Sequence, residues 1–177
     1  MNHKDMGRRL CLWAAIVTSF QAAGAAIACD AGQTRHFACT FSNGKKAVEI
    51  CHDAAMATYA FGPSETLDDL RLSVPVTEVH LTPWPGIGRT IWEEVRFVND
   101  GHGYTVYASI ERHYPETEDG DITATLSGGI FVSRGDTELA HLACDPGSVD
   151  FPWSHALFDA KEAQGQCYDR IERSWAR

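Results

Sequence analysis

The sequence predicts an all-β fold: an antiparallel β-sandwich or small β-barrel of about eight strands, with a short C-terminal helical segment and disulfides. Three observations carry this. Short apolar-rich runs recur at regular spacing between Gly, Pro, Asn and Asp turns. Ser42-Asn43-Gly44-Lys45 is a strong hairpin signal. No helical period rivals the strand pattern before Ser148.

Residues 36–42 and 45–51 form the first hairpin, because Asn43-Gly44 supplies the two positive-φ positions of a type I′ turn. In that register Cys39 faces Val48, and His36 faces Cys51. Side chains alternate along a strand, so Cys39 and Cys51 point to opposite faces and a direct bridge between them is disfavoured. Residues 56–61 follow, closed by Gly62-Pro63. Residues 70–74 alternate Leu70, Leu72 and Val74 against Arg71 and Ser73. Residues 76–81 also alternate, with Val76 on one side and Val79 and Leu81 on the other. In residues 90–98, Ile91, Val95 and Phe97 share a face that Glu93 interrupts. Residues 104–110 set Tyr104, Val106, Ala108 and Ile110 against Thr105, Tyr107 and Ser109. The preceding Asn99-Asp100-Gly101-His102-Gly103 reads as longer than a tight turn.

Residues 122–126 and 129–133 read as separate strands joined by a Ser127-Gly128-Gly129 loop. Arg134-Gly135-Asp136-Thr137 then turns the chain into residues 138–144. Gly-Asp between strands explains this integrin-type tripeptide without invoking adhesion. Residues 150–164 carry Ala156, Ala160 and Ala163, with Gly165 at a C-cap position, and predict a short helix. Trp153, Leu157 and Phe158 are positioned to pack it on the sheet.

Residues 1–28 read as a secretory signal. Lys4, Arg8 and Arg9 precede an apolar stretch from Leu10 to Phe20, and Ala26-Ile27-Ala28 is a cleavage site. The apolar run is too short to remain as a membrane span. The expected mature chain, residues 29–177, is a single secreted or periplasmic β domain. The whole chain of 177 residues has a net charge of −9. The segment takes away three basic residues and Asp5, so the mature charge falls to −11. An acidic balance disfavours nucleic acid and steers cationic partners toward the surface. Hydrophobic content of 44% with 22% charged residues is that of a folded domain.

Five cysteines follow the signal: Cys29, Cys39, Cys51, Cys144 and Cys167. An oxidising compartment favours bridges, and five is odd, so one thiol stays unbridged within the chain or is modified. Cys144–Cys167, Cys29–Cys51 and Cys39–Cys144 all remain open. Ala26-Ile27-Ala28-Cys29 resembles a bacterial lipobox, with Ala26 where Leu is usual. Cys29 is therefore a lipidation candidate, and the membrane is a partner only if it is lipidated.

The run Phe37-Ala38-Cys39, Asn43-Gly44-Lys45, Cys51 and Tyr59-Ala60-Phe61-Gly62 resembles a group of small secreted bacterial β-proteins of unassigned function. Gly86-Ile87-Gly88-Arg89, Tyr104-Thr105-Val106-Tyr107 and Leu142-Ala143-Cys144 continue the resemblance over about residues 29–144. It implies a secreted, bridged β fold and brings no catalytic residues with it. Ser127-Gly128-Gly129 is faintly similar to the Ser-Gly loop that periplasmic lysozyme inhibitors insert into their target.

No common catalytic motif is present: no G-x-S-x-G, H-E-x-x-H, phosphate-binding glycine loop or C-x-x-C. The histidines are scattered, so neither a metal nor another cofactor is predicted. His52-Asp53 and the Asp100/His102 pair are the close His–carboxylate combinations, and both fall in turns. Glu116-Thr117-Glu118-Asp119-Gly120-Asp121 does not match a calcium loop and reads as a solvated hairpin end. The binding candidates are Trp84 and Arg89, in a Pro/Gly-rich loop, together with Ser127 and Gly128. The expected function is a non-enzymatic binding module for a cationic envelope partner. The alternatives are an inhibitor of a basic hydrolase such as lysozyme, and an envelope hydrolase with a non-local site drawing on His52, Asp53 or His102.

Overall fold

The computed structural model describes residues 29–115 and 121–176. The signal-like segment, and residues 116–120 of the acidic run, lie outside the described residues.

Strands β1 (Thr34–Phe41), β2 (Lys46–His52), β3 (Met56–Pro63) and β4 (Leu70–Pro75) form one antiparallel sheet in sequence order. Strands β5 (His80–Thr82), β6 (Thr90–Asn99), β7 (His102–His113), β8 (Thr123–Arg134) and β9 (Thr137–Ala143) form a second. The two sheets share one core and do not close into a barrel, so the sandwich is the form the sequence takes. Phe37, Val48, Ile50 and Tyr59 face Val95, Phe97, Val106 and Ile130 across it. The Tyr59 ring packs at 5.6 Å from Phe97 and 5.7 Å from Tyr104. Sequential antiparallel order follows from the short turns, which leave no length for a crossover.

The first hairpin keeps its expected register, with Cys39 opposite Val48. His36 departs from it. Arg35 pairs with Cys51 and Phe37 with Ile50, so His36 is an inserted residue and not the partner of Cys51. A bulge re-aims the side chain it carries. Here it leaves His36 only 2% exposed. On the same strand Arg35 pairs with Glu49 at 2.9 Å and Asp150 at 3.1 Å.

Two bridges form, Cys29–Cys51 and Cys39–Cys144, and Cys167 is the exposed free thiol. Cys144–Cys167 is therefore not made. The Cys29 sulfur is bonded to Cys51, and a thioether-linked lipid needs that same atom, so bridge and lipidation exclude each other. The Cys39–Cys144 bridge ties β1 to the end of β9 and so joins the sheets. Beside it, Ala38 and Asp150 exchange backbone hydrogen bonds of 2.9 and 2.8 Å, covering the open edge of β1.

Five segments differ from the sequence expectation. Residues 76–81 are not one strand. Val76–Glu78 is a 3₁₀ turn, and the strand begins at His80. In a strand, Val76 and Val79 would face opposite ways. A 3₁₀ turn aligns positions three apart, and both are buried. Asp100-Gly101 is a two-residue turn after all, with φ of 49° and 73° and Asn99 opposite His102. The helix α1 (Ala156–Ala163) starts later than expected, after Pro152 and after Trp153, whose φ is 51°. A further hairpin, β10 (Cys167–Asp169) with β11 (Ser174–Ala176), follows Gly165 and was not foreseen.

The fifth difference is at Ser127-Gly128-Gly129, which lies inside the continuous strand β8 and forms no loop. The glycines mark close approach and not a turn. A Cβ on Gly128 would lie 3.1 Å from the Phe37 ring. One on Gly129 would overlap the Leu142 carbonyl and sit 2.8 Å from the Tyr107 ring. Gly129→Ala is expected to cost about 1–3 kcal/mol by overpacking, read as a lower midpoint in thermal unfolding.

Candidate functional site

Among the described residues, a cleft of about 370 Å³ is lined mainly by aromatic and aliphatic side chains. Three separate parts of the chain build it. The β5–β6 loop brings Pro83 and Trp84. The start of β6 brings Ile91, Trp92 and Glu93. The segment entering α1 brings Phe151, Trp153, Ser154 and His155. Phe158 of α1, Ile110 of β7 and Arg170 of the last hairpin complete the wall. Ligand sites are typically concave and mostly apolar, with a few polar groups that fix orientation. This cleft has that composition.

Two of these indoles, Trp84 and Trp153, are held by identifiable local structure. The loop carrying Trp84 turns through Gly86 and Gly88, whose φ values are 87° and 98°. Trp84 Nε1–H donates to the Ile87 carbonyl at 3.0 Å, which fixes the half-buried ring against its own loop. Ile87 stands 75% exposed at the loop tip. Trp153 occupies the left-handed region, a strained place for a bulky residue. Its ring lies 4.4 Å from Phe151, edge-on. Phe151 in turn sits 5.3 Å from His36, also edge-on.

Glu93 is the acidic group in the cleft. Its face of β6 is otherwise apolar, and the bulge in β1 brings His36 to meet it. His36 Nε2 lies 2.9 Å from Glu93 Oε1, with side-chain exposures of 2% and 16%. A carboxylate this enclosed needs a polar neighbour, and the re-aimed imidazole supplies one. The two groups meet at ion-pair distance only: neither His36 nitrogen nor Glu93 Oε1 makes a hydrogen bond of good geometry.

The sequence-predicted residues are not brought together. Trp84 is in the cleft. Arg89 is exposed at the far end of the same loop, and its carbonyl accepts a 3.5 Å bond from Arg112. Ser127 meets Ser109 at 2.8 Å on an exposed strand face, and Gly128 lies beneath Phe37. Asp53 caps its own turn by accepting from the Ala55 and Met56 amides, each at 2.8 Å, which holds its pKa below the usual carboxylate range. His52 Nδ1 and His102 Nδ1 each contact a backbone carbonyl, of Asp53 and Asp100. Burial lowers the His52 pKa. These groups serve the turns in which they sit. The Cys29, Glu49 and Cys51 donors also lie close together. The sulfurs are bonded to each other and Glu49 pairs with Arg35, so the set offers no three free ligands.

Sequence reasoning missed Trp92, Glu93 and Trp153 as site residues. One signal was available: Glu93 breaks an otherwise apolar strand face. The meeting of Trp84, Trp153 and Glu93 is a tertiary effect that no local pattern contains. No protein-family model, curated protein or solved structure matches this chain.

Proposed function

We propose that this chain is an extracytoplasmic binding module, exported by residues 1–28, and that the aromatic cleft holds its ligand. The observation that supports this reading is the convergence of Trp84 and Trp153 on one concave site around a partly buried carboxylate. Partly exposed aromatics on a rigid sheet supply contact area at little conformational cost. Two disulfides fit an oxidising compartment, and no described helix is long and apolar enough to cross a membrane. A net charge of −9 in the whole chain favours encounter with cationic partners. Ser127 lies inside β8 and not on a protruding loop, so the cleft and not a Ser-Gly loop supports this reading.

The test is retention of components from a cell-envelope extract on the oxidised, immobilised domain. A Trp84→Ala/Trp153→Ala variant serves as the control, after its fold is checked by near-ultraviolet circular dichroism. The expected result is a component retained by the wild type and lost by the folded variant. Equal retention on both would remove the cleft from the account.

A further inference from the structure

We infer that the cleft accepts a cationic side chain on an apolar stem, a Lys or Arg presented by a basic protein. This rests on the binding reading above and specifies its ligand. Aromatic faces attract cations through the ring quadrupole, most strongly when the site excludes water. Trp84 and Trp153 supply those faces, while Pro83, Ile91 and Ile110 suit an aliphatic stem. Glu93 supplies the counter-charge within the cleft, at 16% side-chain exposure. Its neighbour His36 is a positioning residue fixed by the bulge and by Phe151.

The remaining polar lining sets the limits. Arg170 opposes a cation, but it is exposed on the last hairpin, where solvent screens it. His155 is likewise exposed, and Ser154 adds a neutral hydroxyl. The enclosed charge is thus acidic and the basic charge lies at the rim. The net charge of −9 extends the same sign to the whole molecule.

The experiment is fluorescence anisotropy with three labelled pentapeptides, identical except for Lys, Gln or Glu at the centre between two leucines. The expected result is binding of the Lys peptide about tenfold tighter than the Gln peptide, weakening with salt, with the Glu peptide weakest. Glu93→Gln should erase the preference for Lys over Gln. Arg170→Glu, which changes only an exposed side chain, should strengthen the Lys peptide severalfold. A preference for the Glu peptide, equal binding of all three, or a weaker Lys peptide with Arg170→Glu would overturn the inference. So would binding of octyltrimethylammonium with none of the peptides, which would place the cation on a lipid-like molecule. If the peptides fail while extract retention still depends on Trp84 and Trp153, the ligand class is wrong and the binding module stands. If both fail, both readings fall.

Discussion

Removing the Cys39–Cys144 bridge by a Cys39→Ala/Cys144→Ala double change is expected to cost about 4–5 kcal/mol in urea unfolding. The two cysteines are 105 residues apart, so the bridge restricts a very long loop in the unfolded chain. In the folded chain it joins β1 to the end of β9, where Cys39 is buried in the shared core. The Cys29–Cys51 bridge spans 22 residues and pins the start of the described chain to β2, so its loss should cost about 3 kcal/mol. The ranking is the diagnostic outcome. A larger loss from the short bridge would mean that the sheets are held together by something other than Cys39–Cys144.

The second large effect is at Lys161. It is fully buried on α1, and its ammonium donates to the carbonyls of Val76 and Val79 at 2.8 and 2.7 Å. Those carbonyls belong to the 3₁₀ turn and the residue after it, which have no strand partner there. Trp175 closes the site, with Nζ 4.8 Å from its ring centre and Nε1–H donating to the Leu81 carbonyl at 2.7 Å. One lysine thus fastens the helix, the turn and the last hairpin. Lys161→Met keeps the stem but orphans two buried carbonyls, and is expected to cost about 3 kcal/mol.

Lys161 also has a pH signature. Burial lowers its pKa to about 8, against 10.5 for an ordinary lysine. Between those values the unfolded chain binds the proton more strongly, so this group's contribution to stability grows as pH rises from 8 toward 10.5. It is lost again as pH falls back through 8. The neutral amine keeps two N–H donors, enough for both carbonyls. The wild type should therefore gain on Lys161→Met across that window by up to about 3 kcal/mol. Denaturant midpoints of both proteins at pH 7.5 and 9.5 test this. A constant difference would mean that Lys161 titrates normally.

The fold was legible where local chemistry decides it. Asn43-Gly44 set the first turn and the Cys39–Val48 register, and alternation located Tyr104 through Ile110. Reading failed where a distant group overrides the local pattern. Val76 and Val79 look like a strand until Lys161, far along the chain, claims their carbonyls. Gly128-Gly129 look like a loop until Phe37 and Tyr107 are seen to need the space. The site divides in the same way. Trp84 was visible because a Pro/Gly loop displays it, and Glu93 was visible as an interruption. Trp153 acquires meaning only once the chain brings it to the cleft that Trp84 lines, and His36 only through its bulge.

The central claim is that ligand enters the aromatic cleft. Residues 29–177 contain four tryptophans: Trp84, Trp92 and Trp153 in the cleft, and Trp175 outside it. Four indole N–H resonances therefore report on the site with an internal control. The measurement is their shift in a ¹⁵N-labelled domain of residues 29–177 when the component retained from envelope extract is added. The expected result is movement of the Trp84, Trp92 and Trp153 signals while Trp175 stays in place. Movement of Trp175 alone, or binding that leaves all three cleft indoles unshifted, would contradict the account.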